Sequence, residues 1–252
     1  MAISRARVII ASTALVLVAG ASLYAFNATE KFLIRDARFR IATPDSAQPF
    51  LQVTGIQHAS VRAVEATFAA DSGRSLYLVP LEDRLATLRS IDWVRDASVA
   101  RIWPNRLLVR VIEREPVAFA RLQTTKVNLI DADGVLLPPA QDQFNLPVIV
   151  GIKAADDLAT RQAAVQRMLR LAAELGDGVM KDVSEIDVAN LENIAITVPH
   201  EGNLVKLQLG DRDYKARYQT FLRHSSDIDS KVPGAKVLDL RLDDRITVVE
   251  AE

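Results

Sequence analysis

The sequence predicts an α+β protein with an N-terminal transmembrane helix, a small α+β domain, and a larger, mostly antiparallel β-domain with flanking helices. Three observations support this prediction. Residues 8–26 are uncharged and apolar, residues 50–115 carry a strand, helix, helix, strand and strand pattern, and residues 116–252 alternate extended segments with two helical ones. With 252 residues, 49% of them hydrophobic, the chain is long enough to bury two cores.

The composition restricts the chemistry of the protein. The 31 lysine and arginine residues nearly balance the 32 aspartate and glutamate residues, and the formal net charge is −1. This balance argues against a nucleic-acid-binding protein, which needs a strongly basic face. The chain has no cysteine, which excludes disulfides, thiolate-bound zinc or iron–sulfur clusters and a cysteine nucleophile.

Residues 8–26 are predicted to form the transmembrane helix, because such a helix spans about 28 Å, nearly the thickness of a bilayer core. Arg5 and Arg7 precede this run, so residues 1–7 are expected to be a short cytoplasmic tail and the rest of the chain to lie outside. The alternative is a cleaved signal peptide, for which the small residues at 19–21 offer a cleavage site. Under both interpretations the remaining chain is exported from the cytoplasm.

The segment after the membrane helix, residues 27–49, is predicted to be a linker with one extra strand. Residues 32–41 alternate apolar and charged side chains, which is typical of a half-buried strand. A further strand is predicted at 50–56. Ser60 is a plausible N-cap for the first of two helices, and the second fits residues 81–90.

A β-hairpin completes the small domain. Residues 93–102 and 107–112 alternate their side chains between two faces, and Trp103, Pro104 and Asn105 form the turn between them. Strand, helix, helix, strand and strand then follow one another, so two helices are expected to cover one face of a short sheet.

The second domain is expected to be built mainly from short strands. Its predicted helices are residues 157–175, with Leu158, Val165, Met168, Leu169 and Ala172 on the buried side, and residues 211–224. The predicted strands are residues 126–130, 135–137, 183–188, 194–198, 204–209, 237–242 and 246–250.

A search for catalytic or metal-binding motifs returns none, so no catalytic, cofactor-binding or metal-binding residue is predicted. His58 at a strand end, His200 in a turn and His224 at a helix end belong to no metal-binding spacing. Carboxylates that neighbour each other on a strand point to opposite faces and do not converge on one substrate. An exported enzyme, such as a peptidoglycan hydrolase, is the alternative, and the missing nucleophile and metal ligands argue against it.

At residues 93–120, WVRDASVARIWPNRLLVRVIEREPVAFA, the chain resembles the FtsQ/DivIB bacterial cell-division proteins. Their pattern, WV-x-x-A-x-V-x-R-x-WP-x-x-L-x-V-x-V-x-ER-x-PVA, spans the end of a POTRA domain and the start of a β-domain. The matching positions are Trp93, Val94, Ala97, Val99, Arg101, Trp103, Pro104, Leu107, Val109, Val111, Glu113, Arg114, Pro116, Val117 and Ala118. Shorter matches at 53–55 and 238–241 extend the resemblance toward both ends.

The resemblance implies a POTRA-type domain at 50–115 and a C-terminal β-domain at 116–252. It implies a single-pass type II protein of the inner membrane, with most of the chain in the periplasm at the division septum. It also implies a non-enzymatic scaffold that holds FtsB- and FtsL-like bitopic partners and links division to septal peptidoglycan synthesis. Other divisome proteins are expected to bind the POTRA domain, and no cofactor, small-molecule substrate or nucleic acid is implied.

The last predicted strand, residues 246–250, is the candidate partner-binding site. Its outer edge can offer unpaired N–H and C=O groups to a strand from another chain. The resemblance implies that the partner adds a strand there, and the residues that inherit this role by position are Leu242, Asp244, Arg245, Val248, Val249 and Glu250. The simpler alternative is that these residues only complete the sheet.

An outer-membrane assembly or secretion protein with POTRA domains is the remaining alternative. That class repeats the domain or follows it with a barrel of many strands of about ten residues. This sequence carries one such domain and no run of strands of that length.

Overall fold

One long helix, α1 (Arg5–Arg35), begins the chain. The computed structural model describes residues 5–42, 49–123, 126–140, 142–242 and 245–249. At 1.5 Å per residue the 31 residues of α1 span about 46 Å, close to the full thickness of a bilayer with its headgroups. Its side chains at 12–29 are exposed, and the helix is long and apolar enough to cross a membrane. The prediction of an N-terminal membrane helix thus agrees with the structure.

The extra strand predicted at residues 32–41 is wrong. α1 continues through Arg35, a 3-10 turn follows at Ala37–Phe39, and only Arg40 forms an isolated bridge, with Ser75. No glycine or proline interrupts the chain between the apolar run and this point, so the helix continues. It ends where the side chain of Asp36 accepts a hydrogen bond from the backbone N–H of Arg38 over 2.9 Å.

The first of two compact units, Met1–Glu113, contains a three-stranded sheet with the order β1-β3-β2. Its elements after α1 are β1 (Leu51–Thr54), α2 (Val61–Thr67), α3 (Leu81–Arg89), β2 (Val94–Ile102) and β3 (Arg106–Glu113). β1 is parallel to β3, whereas β2 is antiparallel to it. The predicted order of strands and helices is confirmed, and the side chain of Ser60 caps α2 by accepting from the N–H of Ala63.

The first sheet is tightly packed where β1 ends. Gly55 has a φ of +83°, and a Cβ added to it would lie 2.1 Å from the carbonyl oxygen of Val111 on β3. Only glycine fits this combination of left-handed backbone and close approach. The buried side chains between sheet and helices include Val64, Phe68, Leu76, Leu88, Val94, Leu107 and Val109.

Glu113, the last residue of β3, binds the segment that leads into α2. The backbone N–H groups of Gln57, His58 and Ala59 donate to its carboxylate over 2.9, 2.9 and 2.7 Å, and Nδ1 of His58 lies 3.0 Å from Oε2. The His58 ring stacks on Trp93 at 4.5 Å. Burial raises the pKa of Glu113, but the backbone bonds and the His58 side chain together outweigh it and hold that pKa below its ordinary value.

We expect Glu113→Gln to lower the free energy of unfolding of the first unit by about 1–3 kcal/mol at pH 7, because the charged acceptor of several N–H groups is lost. The folded pKa of Glu113 lies below its unfolded value, so its contribution is present above the unfolded pKa and disappears as the pH falls through the folded pKa. Denaturation followed by tryptophan fluorescence between pH 7 and about pH 3 measures both effects.

The matched control for this prediction is Glu65→Gln, since Glu65 is an exposed residue of α2 in the same unit. A change within about 0.5 kcal/mol is expected for it. The difference in free energy of unfolding between the parent and Glu113→Gln should shrink as the pH falls. A difference that stays constant down to pH 3 would contradict the role given to the Glu113 charge.

The second unit, Arg114–Glu252, contains a nine-stranded sheet with the order β12-β11-β10-β9-β8-β7-β4-β5-β6. The β4–β7, β7–β8 and β10–β11 pairs are parallel and the others antiparallel. The elements are β4 (Pro116–Arg121), β5 (Val127–Asp131), β6 (Leu136–Leu137), β7 (Val148–Val150), α4 (Leu158–Leu175), α5 (Asp177–Met180), β8 (Glu185–Asp187), β9 (Ile194–His200), β10 (Asn203–Gly210), α6 (Tyr214–Lys231), β11 (Val237–Asp239) and β12 (Thr247–Val248).

α4 and α6 pack their apolar sides on this sheet. The core they share with the strands includes Val165, Met168, Leu171, Tyr214, Phe221, Ile149, Ile186, Ile196, Leu207 and Leu238. α4 begins and ends as predicted, since the Asp157 side chain accepts from the N–H of Thr160 and Gly176 follows with a φ of +78°. Leu158, predicted on the buried side, is instead exposed, because it stands at the first residue of the helix, ahead of the packed turns.

Three other predictions for this unit need correction. His200 is the last residue of β9 rather than part of a turn, because the strand continues through Pro199 to the turn at Glu201 and Gly202. The helix predicted at 211–224 runs as α6 to Lys231, so His224 lies within it. The strands β4 and β7 are additional to those predicted.

Candidate protein-binding edge

The C-terminal strand lies at one edge of the nine-stranded sheet. α6 carries the chain from β10 to β11, which joins the sheet parallel to β10, and β12 then pairs antiparallel with β11. Within the described residues no strand follows β12 in the sheet order. Among the residues that the structure describes, β12 therefore pairs with β11 alone, and its other side is open.

The hydrogen bonds of β12 show which residue faces the open side. Leu238 stands opposite Val248, and the N–H of Val249 donates to the carbonyl of Val237 over 3.0 Å. In an antiparallel pair, successive residues of a strand turn their N–H and C=O groups to opposite sides. Because Val249 bonds toward β11, the N–H and C=O of Val248 point away from β11, toward the open side.

A groove of about 320 Å³ lies between α6 and β12. Its lining combines five apolar side chains with titratable ones and a threonine, a mixture that suits a peptide segment with one apolar anchor and polar flanks. The lining residues are Thr220, His224, Asp227, Ile228, Lys231, Val232, Leu238, Arg245, Ile246 and Val248.

The end of β11 is held by a network of arginines and backbone carbonyls. Arg241 donates to Asp239 through Nη2 over 2.6 Å and through Nε over 2.9 Å. This side-chain hydrogen bond is the largest cause of a pKa of Asp239 below its ordinary value, and burial opposes it. Arg217 of α6, 8% exposed, donates to the carbonyls of Leu209 and Arg241. These bonds fix the conformation of the chain at the end of β11.

Four of the six predicted partner-binding residues are described in the structure, and two are not. Leu242, Val248 and Val249 are exposed by 49, 39 and 38%, and Arg245 is exposed as well. Val248 and Arg245 meet in the groove, whereas Leu242 and Val249 lie outside its lining. The remaining two, Asp244 and Glu250, lie outside the described residues.

The α6 side of the groove was not predicted from the sequence, because the predicted helix ends at residue 224 and α6 continues to Lys231. Its lining residues beyond that point are Asp227, Ile228, Lys231 and Val232. A usable signal exists in the sequence: Tyr214, Phe221 and Ile228 recur every seven residues, which continues the apolar stripe of the helix for another turn.

In the described part of the chain, no three His, Cys, Asp or Glu side chains are placed to hold a metal ion together. His58 and Glu113 are used in the packing of the first unit, and His224 lies 3.8 Å from Asp227 on α6. The C-terminal edge is therefore the site with the best-defined geometry.

Family models match both units of the chain. The model described as "Cell division protein FtsQ/DivIB, C-terminal" matches residues 118–241, and the one described as "POTRA domain, FtsQ-type" matches residues 51–114. These two matches meet at the boundary between the compact units.

Known proteins with similar sequences carry the same description. "Cell division protein FtsQ" from Koribacter versatilis is 33% identical over 83% of this chain and 60% of its own length. "Cell division protein FtsQ" from Geotalea daltonii is 29% identical over 62% of this chain and 58% of its own length. The chain thus spans about 60% of the length of these curated relatives. The solved extracytoplasmic domain of DivIB from Geobacillus stearothermophilus is 17% identical over 48% of this chain and 98% of its own, with a TM-score of 0.29.

Proposed function

We propose that this chain, which belongs to the FtsQ/DivIB family of cell division proteins, acts as a non-enzymatic scaffold that binds other division proteins at its C-terminal sheet edge. The observation that carries the proposal is the outward-facing N–H and C=O of Val248 on the last strand. A partner that supplies a strand would bond to these groups and extend the sheet.

The partners that fit the proposal are FtsB- and FtsL-like bitopic proteins. Their contribution would be a short extended segment beside β12 and an apolar side chain in the adjoining groove. By holding such partners at the septum, the protein would link division to septal peptidoglycan synthesis. A second binding surface is proposed on the POTRA-type unit, whose sheet has β1 and β2 at its two edges.

The proposed location is the inner membrane, with α1 as a single type II anchor and the bulk of the chain in the periplasm at the division septum. Arg5 and Arg7 precede the apolar run and favour a cytoplasmic N-terminal side, and Lys31, Arg35 and Arg38 beyond the run reduce this charge asymmetry. We expect the full-length protein to remain in the membrane after salt and carbonate washing. Recovery of a shortened, soluble form beginning near Ser22 would instead identify a cleaved signal peptide.

A membrane pull-down tests the binding function. The bait is the full chain, a chain that ends at Asp244 and therefore lacks β12, or a chain that ends at Glu250 and retains it. Small bitopic proteins, identified by mass spectrometry, are expected with the full chain and the Glu250-ended chain but not with the Asp244-ended chain. Their absence from all three, when each is folded and present in equal amount, would refute the scaffold proposal.

A further inference from the structure

Three aromatic side chains meet where α1 joins the first compact unit. Phe32 lies in the last turns of α1, Phe39 in the 3-10 turn that follows, and Trp103 in the turn between β2 and β3. The ring centroids are 5.5 Å apart for Phe32 and Phe39 and 5.6 Å apart for Phe39 and Trp103, both with edge-to-face geometry. We call these three residues the aromatic cluster.

The aromatic cluster is only half covered by protein. Phe32 and Trp103 are each 48% exposed, whereas the other tryptophan, Trp93, is 3% exposed. A large aromatic side chain at the tip of a hairpin contributes little to the core when half of it is left in water. About half of the Phe32 and Trp103 surface is therefore available to a partner outside the unit.

Backbone contacts fix the cluster to the end of the membrane helix. The hydroxyl of Ser75 donates to the carbonyl of Leu33 over 2.7 Å. The N–H of Ile41 donates to the carbonyl of Arg74 over 2.8 Å, the carbonyl of Ile41 accepts from Gly73 over 3.1 Å, and the Ile41 side chain is 1% exposed. These contacts hold the end of α1 to residues 73–75. Arg101 of β2 donates to the carbonyls of Leu76, Tyr77 and Val79, so the hairpin is tied to the same segment.

The position of Phe32 along α1 places the cluster near a membrane surface. Phe32 follows Phe26, the end of the uncharged run, by about 9 Å along the helix axis. The headgroup layer on each side of the hydrocarbon core is roughly 5–8 Å thick. The cluster therefore stands at the outer boundary of the headgroups, and tilting of the helix brings it closer. Tryptophan is enriched at this depth because its ring is apolar and its N–H is polar.

Positive charge surrounds the cluster. Four cationic side chains near it are exposed and form no ion pair with any residue that the structure describes: Lys31, Arg35, Arg40 and Arg106. A fifth, Arg38, lies 5.5 Å from the centre of the Phe32 ring and pairs with Asp36. Unpaired cations next to the boundary of a bilayer complement the phosphate groups of anionic lipids.

We propose that the aromatic cluster and the four cationic residues dock on the headgroups of a bilayer that contains anionic phospholipid. The POTRA-type unit would then be seated on the membrane surface, with the tip of its hairpin in the headgroup layer. The proposal rests on α1 crossing the membrane, as in the proposed function, but not on the binding edge at β12. The two can therefore fail separately.

Quenching of tryptophan fluorescence in lipid nanodiscs tests this docking. The full chain is reconstituted in phosphatidylcholine with phosphatidylglycerol, with or without a nitroxide on the lipid headgroup. Because the chain has two tryptophans and Trp93 is buried, headgroup quenching reports on Trp103. We expect a loss of emission in the parent protein that is several-fold smaller in Trp103→Phe. A nitroxide at the end of the acyl chain should quench the parent less than the headgroup nitroxide does.

Equal quenching of the parent and Trp103→Phe, or no quenching of a parent that is inserted in the nanodisc, would overturn the docking.

The role of the cationic residues is tested with Arg40→Gln combined with Arg106→Gln. This double variant should weaken the headgroup quenching in anionic but not in neutral nanodiscs. The matched control is Lys215→Gln combined with Arg170→Gln, two exposed residues of the second unit that change the net charge equally. Quenching that does not depend on lipid charge would overturn the role of the cationic residues.

Discussion

Val248→Pro is expected to weaken binding of a strand-forming partner by roughly 5- to 150-fold while the protein stays folded. Proline removes the N–H of Val248, which points to the open side, so the β11–β12 hydrogen bonds remain. The partner's carbonyl is then left without a donor in the new interface, which costs about 1–3 kcal/mol of binding free energy. Titration of the detergent-solubilised chain with the purified partner, followed by calorimetry or fluorescence anisotropy, measures the affinity.

The matched variants for this experiment separate backbone bonding from side-chain contact. Val248→Ala keeps the N–H and should bind almost as well as the parent, because backbone groups supply the pairing. Val249→Pro removes the N–H that donates to Val237, so β12 itself should detach from β11. If Val248→Ala loses as much affinity as Val248→Pro, the partner contacts the Val248 side chain rather than the backbone N–H. The proposal of strand addition at this residue would then be refuted.

Gly55→Ala is expected to destabilise the POTRA-type unit by about 2–5 kcal/mol, the largest effect on stability that we predict. The new methyl group would meet the carbonyl oxygen of Val111 at 2.1 Å, and the residue would have to hold a φ of +83°. The clash with Val111 and the strain of a left-handed backbone both lower the free energy of unfolding. The clash cannot be relieved by moving a strand, because β1 and β3 would then lose their pairing. Both tryptophans lie in this unit, so their fluorescence during denaturation reports on it.

Gly73→Ala is the control for the crowding at Gly55. Gly73 has a similar φ of +75°, but no atom lies within 4 Å of an added Cβ. Only the cost of the left-handed backbone, about 1 kcal/mol, is expected there. Equal losses in the two variants would show that the contact with Val111 adds nothing.

The elements best predicted from the sequence are those defined by local chemistry. The hairpin of β2 and β3 is predicted from its alternation and its turn, α2 from its capping residue Ser60, and α4 from its apolar stripe. In each case residues within one turn or one strand pair determine the structure.

The elements that were not predicted from the sequence depend on distant parts of the chain. β7 has three residues and becomes a strand only because it pairs in parallel with β4 and β8, which local alternation cannot reveal. The strand wrongly predicted at residues 32–41 also depends on the preceding chain. Its side chains alternate like those of a strand, but α1 continues into this segment as far as Arg35. The groove beside β12 needs both the full length of α6 and the crossover to β11, so its lining could not be named from the sequence.

The parallel pairing of β1 with β3 determines when β1 can join the sheet during synthesis. β1 is made before β3, and its hydrogen-bonding partner is about 55 residues further along the chain. At ribosomal rates of about 5–20 residues per second, β1 waits roughly 3–11 s, while a finished hairpin closes within microseconds. The POTRA-type unit therefore assembles from its later strands to its earliest one. During synthesis, residues 51–54 therefore remain without their strand partner through that interval.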